Sequence, residues 1–200
     1  MNKTAIVFGA NGGIGFATCS ALAKHGYIVT PITRNQIDFT NELSDVFVHG
    51  LLTGHDADLI VNCSGHFANN SEHHKDTMEI NVGSNWSIVS HYMNAAITKP
   101  VKVIMVGSSA YKSGRKNYIL YSASKAALYN LWQGSAEYFA NTPVSLSLIN
   151  PGVTRTKMSG NPTHDNCLEP DEVADKILEM SLTTANECID LQKEIKNESE

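Results

Sequence analysis

Two side chains in the middle of the sequence have the types and the spacing for proton transfer. Tyr121 and Lys125 are four positions apart in the run Tyr121-Ser122-Ala123-Ser124-Lys125, and residues four apart share one face of a helix. A free tyrosine has a pKa near ~10, which is too high for an efficient acid–base at neutral pH. A cation about 4 Å away, at an effective dielectric constant of about 20, contributes about 4 kcal/mol and lowers that pKa by about two to three pH units. The pair therefore predicts a general acid–base centre.

Ser108 is the predicted partner of this pair. It lies thirteen residues before Tyr121 and follows the apolar stretch Val101–Val106, which is typical of a buried strand. Ligands of an open parallel sheet bind beyond the carboxyl ends of its strands, so the Ser108 loop and the start of the Tyr121 helix should meet at one crevice. A serine hydroxyl there would donate a hydrogen bond to a substrate oxygen as charge builds on it. Ser109 is the alternative for this role.

A glycine-rich turn near the N-terminus predicts a nucleotide-binding site. The run Gly9-Ala10-Asn11-Gly12-Gly13-Ile14-Gly15 follows a short apolar strand and begins a helix, which is the context that such a turn requires. Gly9 allows the tight turn, Gly13 leaves room for a pyrophosphate, and Gly15 lets the helix pack closely on the sheet. The N-terminus of the helix offers free N–H groups and a positive dipole to phosphates. The alternative is an ordinary tight strand-to-helix turn. The predicted phosphate-binding residues are Gly9, Asn11, Gly12, Gly13, Ile14 and Gly15.

The end of the second predicted strand indicates which dinucleotide this turn would bind. Thr33 and Arg34 lie 18 and 19 residues after Gly15, where the residue that contacts the ribose is expected. A carboxylate there would bind the 2′-hydroxyl of NAD and repel a 2′-phosphate, whereas a neutral threonine followed by a guanidinium does the reverse. NADP(H) is therefore favoured over NAD(H). Asp38 is either a hydrogen-bond partner for the adenine amino group or a solvated loop carboxylate.

Strand-like and helix-like segments alternate along the sequence. This alternation predicts one α/β domain over residues 1–200, with a doubly wound parallel sheet of six to seven strands flanked by helices. The predicted strands are Ala5–Phe8, Tyr27–Thr33, Leu59–Cys63, Val101–Val106, Val144–Ile149 and an edge strand Glu187–Leu191. The predicted helices are Ile14–Lys24, Asn41–Leu52, His74–Ile97, Tyr121–Asn141 and Asp171–Leu182. Residues 193–200 form a polar tail that we expect to be frayed.

Composition disfavours several other classes of function. A net charge of -5 disfavours a general nucleic-acid binder. The N-terminus lacks the regions of a signal peptide, and no apolar run is long enough to span a bilayer. The four cysteines have no CxxC spacing, which predicts reduced thiols and a cytoplasmic location. We expect no metal site, because the adjacent His73 and His74 would point in different directions on a helix.

These features together resemble the short-chain dehydrogenase/reductase family, from Gly9 to about Leu182. Several motifs carry the resemblance, and they occur in the family's order. They are the glycine turn, Asn62-Cys63-Ser64-Gly65 in place of Asn-Asn-Ala-Gly, Asn81, Ser108, Tyr121 with Lys125, and Pro151-Gly152 with Thr156.

The resemblance implies a Rossmann-like fold and a catalytic set of Asn81, Ser108, Tyr121 and Lys125. In that set Asn81 would position a water that links Lys125 to solvent, and Lys125 would also hold the nicotinamide ribose. The resemblance also implies cofactor-binding residues in addition to the glycine turn and to Thr33, Arg34 and Asp38. These further residues are Asn62, Ser64, Gly65, Tyr121, Lys125, Pro151, Val153 and Thr156.

The predicted function is that of an NADP(H)-dependent oxidoreductase that interconverts a carbonyl and an alcohol by hydride transfer. One alternative is a non-catalytic NADP(H)-binding regulator that has kept the fold. Another is a sugar-nucleotide epimerase or dehydratase, which uses a similar Tyr/Lys pair but needs a substantial C-terminal substrate domain.

The substrate side of the crevice is specified less closely by the sequence. The segment between Thr156 and Pro170 is short for the family, so the pocket is either open or completed by a second subunit. Lys112, Arg115 and Lys116 would meet an anionic substrate, or belong to a solvated loop. Polar neighbours favour a polar substrate; they are His66, Asn69, Asn70 and His164. Tyr129 and Trp132 form either core or a subunit contact, and the resemblance favours a homodimer or homotetramer.

Overall fold

Parallel strands form the centre of the protein. The structure is a computed structural model that describes residues 3–67, 69 and 75–193. Its strands are β1 (Thr4–Phe8), β2 (Ile28–Ile32), β3 (Leu59–Asn62), β4 (Val101–Val106), β5 (Val144–Pro151) and β6 (Cys188–Leu191). They form a six-stranded sheet in the order β2-β1-β3-β4-β5-β6, and every neighbouring pair is parallel. The predicted doubly wound α/β fold is confirmed, with six strands.

Helices cover both faces of this sheet. They are α1 (Gly13–Lys24), α2 (Ser44–Gly54), α3 (Lys75–Met78), α4 (Ser84–Asn94), α5 (Ile119–Tyr138) and α6 (Pro170–Ser181). A π-helical turn, Glu79–Gly83, joins α3 to α4, and a 3-10 helix, Ser109–Lys112, precedes α5. The crossovers between parallel strands require such helices, which explains the alternating pattern of the sequence.

Side-chain alternation along the strands creates two apolar cores. Ile6 and Phe8 of β1 belong to the core that includes Val48 of α2, Ile88 of α4 and Leu128 of α5. Ala5 and Val7 point to the opposite face, where the core includes Leu22 of α1 and Ile177 of α6. Because both faces are covered, β1, β3, β4 and β5 are nearly continuous apolar runs.

Some helix boundaries differ from the sequence prediction. The helix predicted over His74–Ile97 is described from Lys75 and ends at Asn94, because Ala95 is extended with φ -90° and ψ 147°. α2 begins at Ser44 rather than Asn41, since the Asn41 side chain accepts a hydrogen bond from the Leu43 amide and forms a turn instead. His73, His74 and the polar tail after Lys193 lie outside the described residues.

The free edge of the sheet at β2 is protected. The Ile28 amide donates to the carbonyl of Lys3, the residue before β1, so the alternate residues Val29 and Pro31 direct their backbone groups away from the sheet. Pro31 has no N–H to offer, and its carbonyl accepts a hydrogen bond of 3.5 Å from the Gln36 amide. A second chain would find few backbone partners at this edge.

The part of the chain that the structure describes contains no helix with the length and hydropathy needed to cross a membrane. Nor do its residues form a group of three or more His, Cys, Asp or Glu side chains that could hold a metal ion.

Candidate active site

The glycine turn lies where the sheet changes direction. From β1 the chain continues to β2 on one side, and later strands build outward from β3 on the other, so the crevice above β1 and β3 is a topological switch point. Gly9 has φ +69°, and a Cβ atom there would lie 2.7 Å from the Ser64 amide nitrogen. A Cβ atom on Gly15 would collide with the Gly9 carbonyl oxygen. Both glycines are therefore required for the turn itself and for its contact with the end of β3.

The N-terminus of α1 is open and is suited to a phosphate. Its N-cap residue, Gly12, is extended, and no side chain caps the helix or places an acid in the first turn. The first N–H groups of a helix have no intrahelical acceptor, so they remain available to an anion. A Cβ atom on Gly13 would lie 2.8 Å from Cγ2 of Thr156, which brings the loop after β5 against the same helix end. This cradle of exposed backbone fits the pyrophosphate of a dinucleotide.

The end of β2 lies beside this turn, since the Ala10 amide donates to the Ile32 carbonyl at 3.1 Å. Arg34 Nε lies 3.0 Å from Asp38 Oδ2, and the other Asp38 oxygen accepts bonds from the Thr40 amide and hydroxyl. Burial alone would raise the pKa of Asp38, but the bonds from Thr40 and Arg34 outweigh it and hold that pKa below its usual value. Asp38 is thus an ionised partner of Arg34, whereas the sequence left it as an adenine ligand or a solvated carboxylate.

Three other predicted cofactor residues follow at the end of β3. Asn62 is fully buried; its oxygen accepts the Ser64 amide at 3.0 Å, and its amide donates to Ser84 Oγ at 2.8 Å. Burial raises the pKa of the Cys63 thiol to about 12, so this cysteine is a packing residue rather than a nucleophile. A Cβ atom on Gly65 would lie 3.6 Å from the methyl group of Met158.

Ser108 and Tyr121 meet at the carboxyl end of β4. Ser108 is the N-cap of the 3-10 helix, where its hydroxyl accepts the Ala110 amide at 3.2 Å, and it lies close enough to the Tyr121 phenol to lower the pKa of that group. Its own amide donates to Asn150 Oδ1 at 3.2 Å. Burial raises the pKa of Tyr121, the nearby Ser108 hydroxyl opposes the rise, and Tyr118 adds to it. The phenol is therefore protonated at neutral pH.

Lys125 is buried directly beneath this pair. Its side chain is only 4% exposed, and its ammonium donates to the Val106 carbonyl at 3.1 Å. Burial lowers the pKa of Lys125 to about 8. Its Nζ lies 5.8 Å from the centroid of the Tyr121 ring. Burial dominates the Tyr121 pKa in this structure, and the expected lowering of that pKa by Lys125 together with an oxidised nicotinamide stays a prediction.

Asn81 lies in the π-helical turn and connects the site to two other segments. Its oxygen accepts the His66 amide at 2.8 Å, and its side-chain amide donates to the His66 carbonyl and to Ser124 Oγ, both at 2.9 Å. Ser124 Oγ in turn donates to the Tyr121 carbonyl at 2.7 Å. Asn81 thus fixes the loop after β3 against the first turn of α5. The π-helical geometry is itself common at functional sites.

Sequence reasoning missed two residues that support this geometry, Ser124 and Asn150. Ser124 lies three residues after Tyr121, a spacing that places it on the same helix face and could have revealed it. Asn150 precedes Pro151-Gly152 directly, but its partner Ser108 is 42 residues away. No short-range sequence pattern predicts the contact between Asn150 and Ser108.

Five other residues that the sequence singled out have surroundings that the structure describes. Lys112 forms an ion pair of 2.7 Å with Asp190, which also accepts a bond from the Tyr111 hydroxyl. Tyr129 and Trp132 pack on the core: Tyr129 stacks on Tyr111, and the Trp132 indole donates to the Leu146 carbonyl. The loop residue Val153 is 50% exposed, beside the predicted nicotinamide end. Pro151, which ends β5, is buried.

The comparisons with known proteins agree with this fold. The sequence pattern of the short chain dehydrogenase family matches residues 53–166, and the chain belongs to that family of short-chain dehydrogenases/reductases. It is 25% identical to an uncharacterised oxidoreductase of Staphylococcus aureus, over 88% of this chain and 90% of that protein. A similar protein of Staphylococcus haemolyticus is 26% identical over 88% of this chain and 89% of its own length.

Solved structures share the fold over nearly the whole chain. A short chain dehydrogenase of Burkholderia cenocepacia in complex with NADP has a TM-score of 0.81 and 23% identity, covering 95% of this chain and 88% of that one. An alcohol dehydrogenase of the archaeon Thermococcus sibiricus, complexed with 5-hydroxy-NADP, has a TM-score of 0.79 and 19% identity and covers 99% of each chain.

Proposed function

We propose that this protein is an NADP(H)-dependent oxidoreductase that interconverts a small carbonyl compound and the corresponding alcohol. The Ser108 hydroxyl beside the Tyr121 phenol, with the buried ammonium of Lys125 5.8 Å from the Tyr121 ring centroid, carries this proposal. Such a pair of hydroxyl groups can bind one substrate oxygen and protonate it. Membership of the family and the open end of α1 support the cofactor requirement.

When bound, NADP(H) supplies the hydride that a carbonyl carbon accepts. Ser108 donates a hydrogen bond to the substrate oxygen as negative charge develops there. Tyr121 delivers the proton to that oxygen, and its raised pKa keeps the phenol in the protonated form that reduction needs. Lys125 stabilises the phenolate that remains and holds the nicotinamide ribose. In the oxidative direction Tyr121 acts as the base.

Asn81 would serve proton exchange as well as geometry. Both hydrogens of its side-chain amide are occupied, so a water that links Lys125 to solvent would bind one of its oxygens. Its main-chain carbonyl accepts a bond from the Asn85 side chain at 3.0 Å, and a carbonyl oxygen has two lone pairs. We therefore place the relay at the main chain of the π-helical turn.

The preference for NADP(H) is supported by Thr33 and Arg34 at the end of β2. Neither side chain would repel a 2′-phosphate, and the Arg34 side chain is 62% exposed. The solved relatives that were crystallised with NADP are consistent with this choice. Asp38 orients the guanidinium toward the same region.

A turnover assay with NADPH and a panel of carbonyl compounds tests the proposal. Tyr121→Phe removes the proton donor but keeps the ring, so kcat should fall at least about 100-fold, a typical contribution of acid–base catalysis. Undiminished turnover in this variant would overturn the assignment of Tyr121. Cofactor binding without turnover on the whole panel would instead favour the regulatory alternative.

We also propose that the protein functions as a homodimer or homotetramer. Trp86 on α4 is 47% exposed, and Phe47 on the adjacent α2 is 52% exposed, so this face offers apolar area to a second copy. The mass in solution, measured by light scattering, distinguishes this assembly from a monomer.

A further inference from the structure

Three aromatic rings cluster at the predicted proton donor. The Phe67 ring packs edge-on against Tyr121, with centroids 4.9 Å apart, and lies 5.2 Å from the Tyr118 ring. Tyr118 is 6.0 Å from Tyr121 in a T-shaped arrangement. Phe67 belongs to the loop after β3, whereas Tyr118 is the N-cap residue of α5, so two separate segments contribute rings to one wall.

The wall formed by Phe67 and Tyr118 lies beside Tyr121, so the body of a substrate bound to Tyr121 would lie against it. The reacting oxygen must contact the hydroxyl groups of Ser108 and Tyr121, so the groups attached to the carbonyl carbon extend over whatever surrounds them. Phe67 keeps 37% of its surface exposed at this position, and Met158 is 49% exposed with its methyl group near Gly65. The described surroundings of the Tyr121 ring therefore include the partly exposed Phe67 ring, and the Met158 thioether lies at Gly65, two residues before Phe67.

Lys112, after β4, and Arg155, after β5, are each paired with a protein acid. Lys112 is paired with Asp190 at 2.7 Å, and Arg155 is paired with Glu169 at 2.7 Å and also donates to the Pro162 carbonyl. Lys125 is buried and donates to Val106. An anionic substrate that bound Lys112 or Arg155 would have to break one of these contacts.

We propose that the Phe67–Tyr118 wall selects aromatic carbonyl compounds, namely aryl aldehydes or aryl ketones, and the matching benzylic alcohols. This inference rests on the proposed oxidoreductase activity and names the substrate class of the same site. Aromatic pairs prefer edge-to-face or offset contacts with centroids about 4.5–7 Å apart, and the Phe67 ring offers such a contact to a substrate ring beside Tyr121.

The test compares benzaldehyde with propanal and with 4-carboxybenzaldehyde, using NADPH and measuring kcat/KM for each. The wild-type protein should favour both aryl aldehydes over propanal. Phe67→Ala should lower kcat/KM for benzaldehyde about 10-fold, the loss expected for one aromatic contact, and leave propanal within about 2-fold. Phe67→Leu keeps apolar volume without a ring, so its kcat/KM for benzaldehyde should lie between those of the wild type and of Phe67→Ala. Tyr118→Ala should act in the same direction as Phe67→Ala.

Tyr138→Ala is the matched control, because this tyrosine is 56% exposed at the far end of α5. This variant should leave kcat/KM unchanged for benzaldehyde, propanal and 4-carboxybenzaldehyde. Far-ultraviolet circular dichroism and the NADPH Kd confirm that each variant is folded. A benzaldehyde-to-propanal ratio that is the same in wild type, Phe67→Ala and Tyr118→Ala would overturn the inference, as would a wild-type preference for propanal over benzaldehyde.

A binding measurement separates this inference from the proposed function. If the wild-type protein reduces none of the aldehydes, the proposed function fails, but calorimetry with benzyl alcohol and NADP still tests the wall. Binding that weakens about 10-fold in Phe67→Ala and Tyr118→Ala, and not in Tyr138→Ala, would support an aromatic site. Absent binding, or the same Kd in all variants, would overturn it.

Discussion

Burial favours the neutral forms of both titratable residues at the centre of the site. It raises the pKa of Tyr121, so that the phenol is a ready proton donor, and it lowers the pKa of Lys125 to about 8. Lys125 is therefore still mostly charged at pH 7, but the folded protein holds this charge at a cost. We attribute the cost to the function of the site, because a neutral side chain there would be less expensive to bury.

Replacing Lys125 should reveal that cost. In the unfolded chain its pKa is near 10.5, above the folded value of about 8, so the unfolded state binds more protons between these two pH values. Stability should rise as the pH rises from about 8 to about 10, and the penalty is fully present below pH 8. Lys125→Met should raise the free energy of unfolding at pH 7, by at most about 3 kcal/mol, and should abolish turnover.

Urea unfolding of both proteins at pH 7 and pH 10 provides the measurement. Lys24→Met is the control, since Lys24 is exposed in the last turn of α1. The gain from Lys125→Met should shrink at pH 10. A loss of stability that is equal at both pH values would contradict the assigned pKa.

At the scale of elements, three buried asparagines hold the parts of the site together. Asn62 connects the end of β3 to Ser84, Asn81 connects the π-helical turn to His66 and Ser124, and Asn150 on β5 binds the Ser108 amide. All three are fully buried. An amide both donates and accepts, so one side chain can join two loops that have no shared secondary structure.

Asn150→Ala should disturb catalysis more than cofactor binding. Its Oδ1 accepts the Ser108 amide, its Nδ2 donates to Cys188 Sγ at 3.2 Å, and Gly107 packs directly against the amide group. Without this acceptor the Ser108 hydroxyl loses its fixed position, and we expect kcat to fall about 10- to 100-fold. The NADPH Kd should stay within about 2-fold, because the glycine turn is untouched.

Steady-state kinetics and a binding titration measure the two quantities. Cys188→Ala is the matched control, as it removes the other partner of Asn150 and leaves the Ser108 contact in place. An unchanged kcat in Asn150→Ala, or an equal loss in Cys188→Ala, would show that Asn150 does not position Ser108.

At the scale of the whole molecule, the cofactor cradle joins segments that are far apart in the chain. Its predicted parts are the N-terminus of α1, Arg34 after β2, and Thr156 after β5. A ligand that contacts all of them binds only the folded protein, and so it raises the free energy of unfolding. The exposed Arg34–Asp38 ion pair contributes at most about 1 kcal/mol, so a phosphate can compete for Arg34.

NADP(H) at 100 times its Kd should stabilise the protein by about 2.7 kcal/mol, which corresponds to about 5–10 °C in Tm for a chain of this size. NAD(H) at the same concentration should give a smaller shift, because it lacks the 2′-phosphate. Arg34→Ala should remove the difference between the two, and Lys24→Ala should preserve it. Equal shifts in the wild-type protein, read by differential scanning fluorimetry, would contradict the NADP(H) preference.

Much of this protein is determined locally, and that part could be predicted from the sequence. Apolar runs specify β1, β3, β4 and β5, the glycine spacing specifies the turn before α1, and the Tyr121/Lys125 spacing specifies a shared helix face. These features depend on residues only a few positions apart. The helix boundaries were less accurate, because turns such as the one at Asn41 compete with the helix through side-chain hydrogen bonds.

Tertiary structure alone decided what surrounds those residues. The sequence left Lys112 as an anion ligand or as part of a solvated loop, and in the structure it pairs with Asp190 of the last strand. The Ser108 amide likewise has its acceptor 42 residues away, on β5. The pKa values of Tyr121 and Lys125 were likewise inaccessible from spacing, because they are governed by burial. Burial and long-range contacts depend on how the whole chain packs, whereas the candidate reactive groups can be recognised from short stretches of sequence.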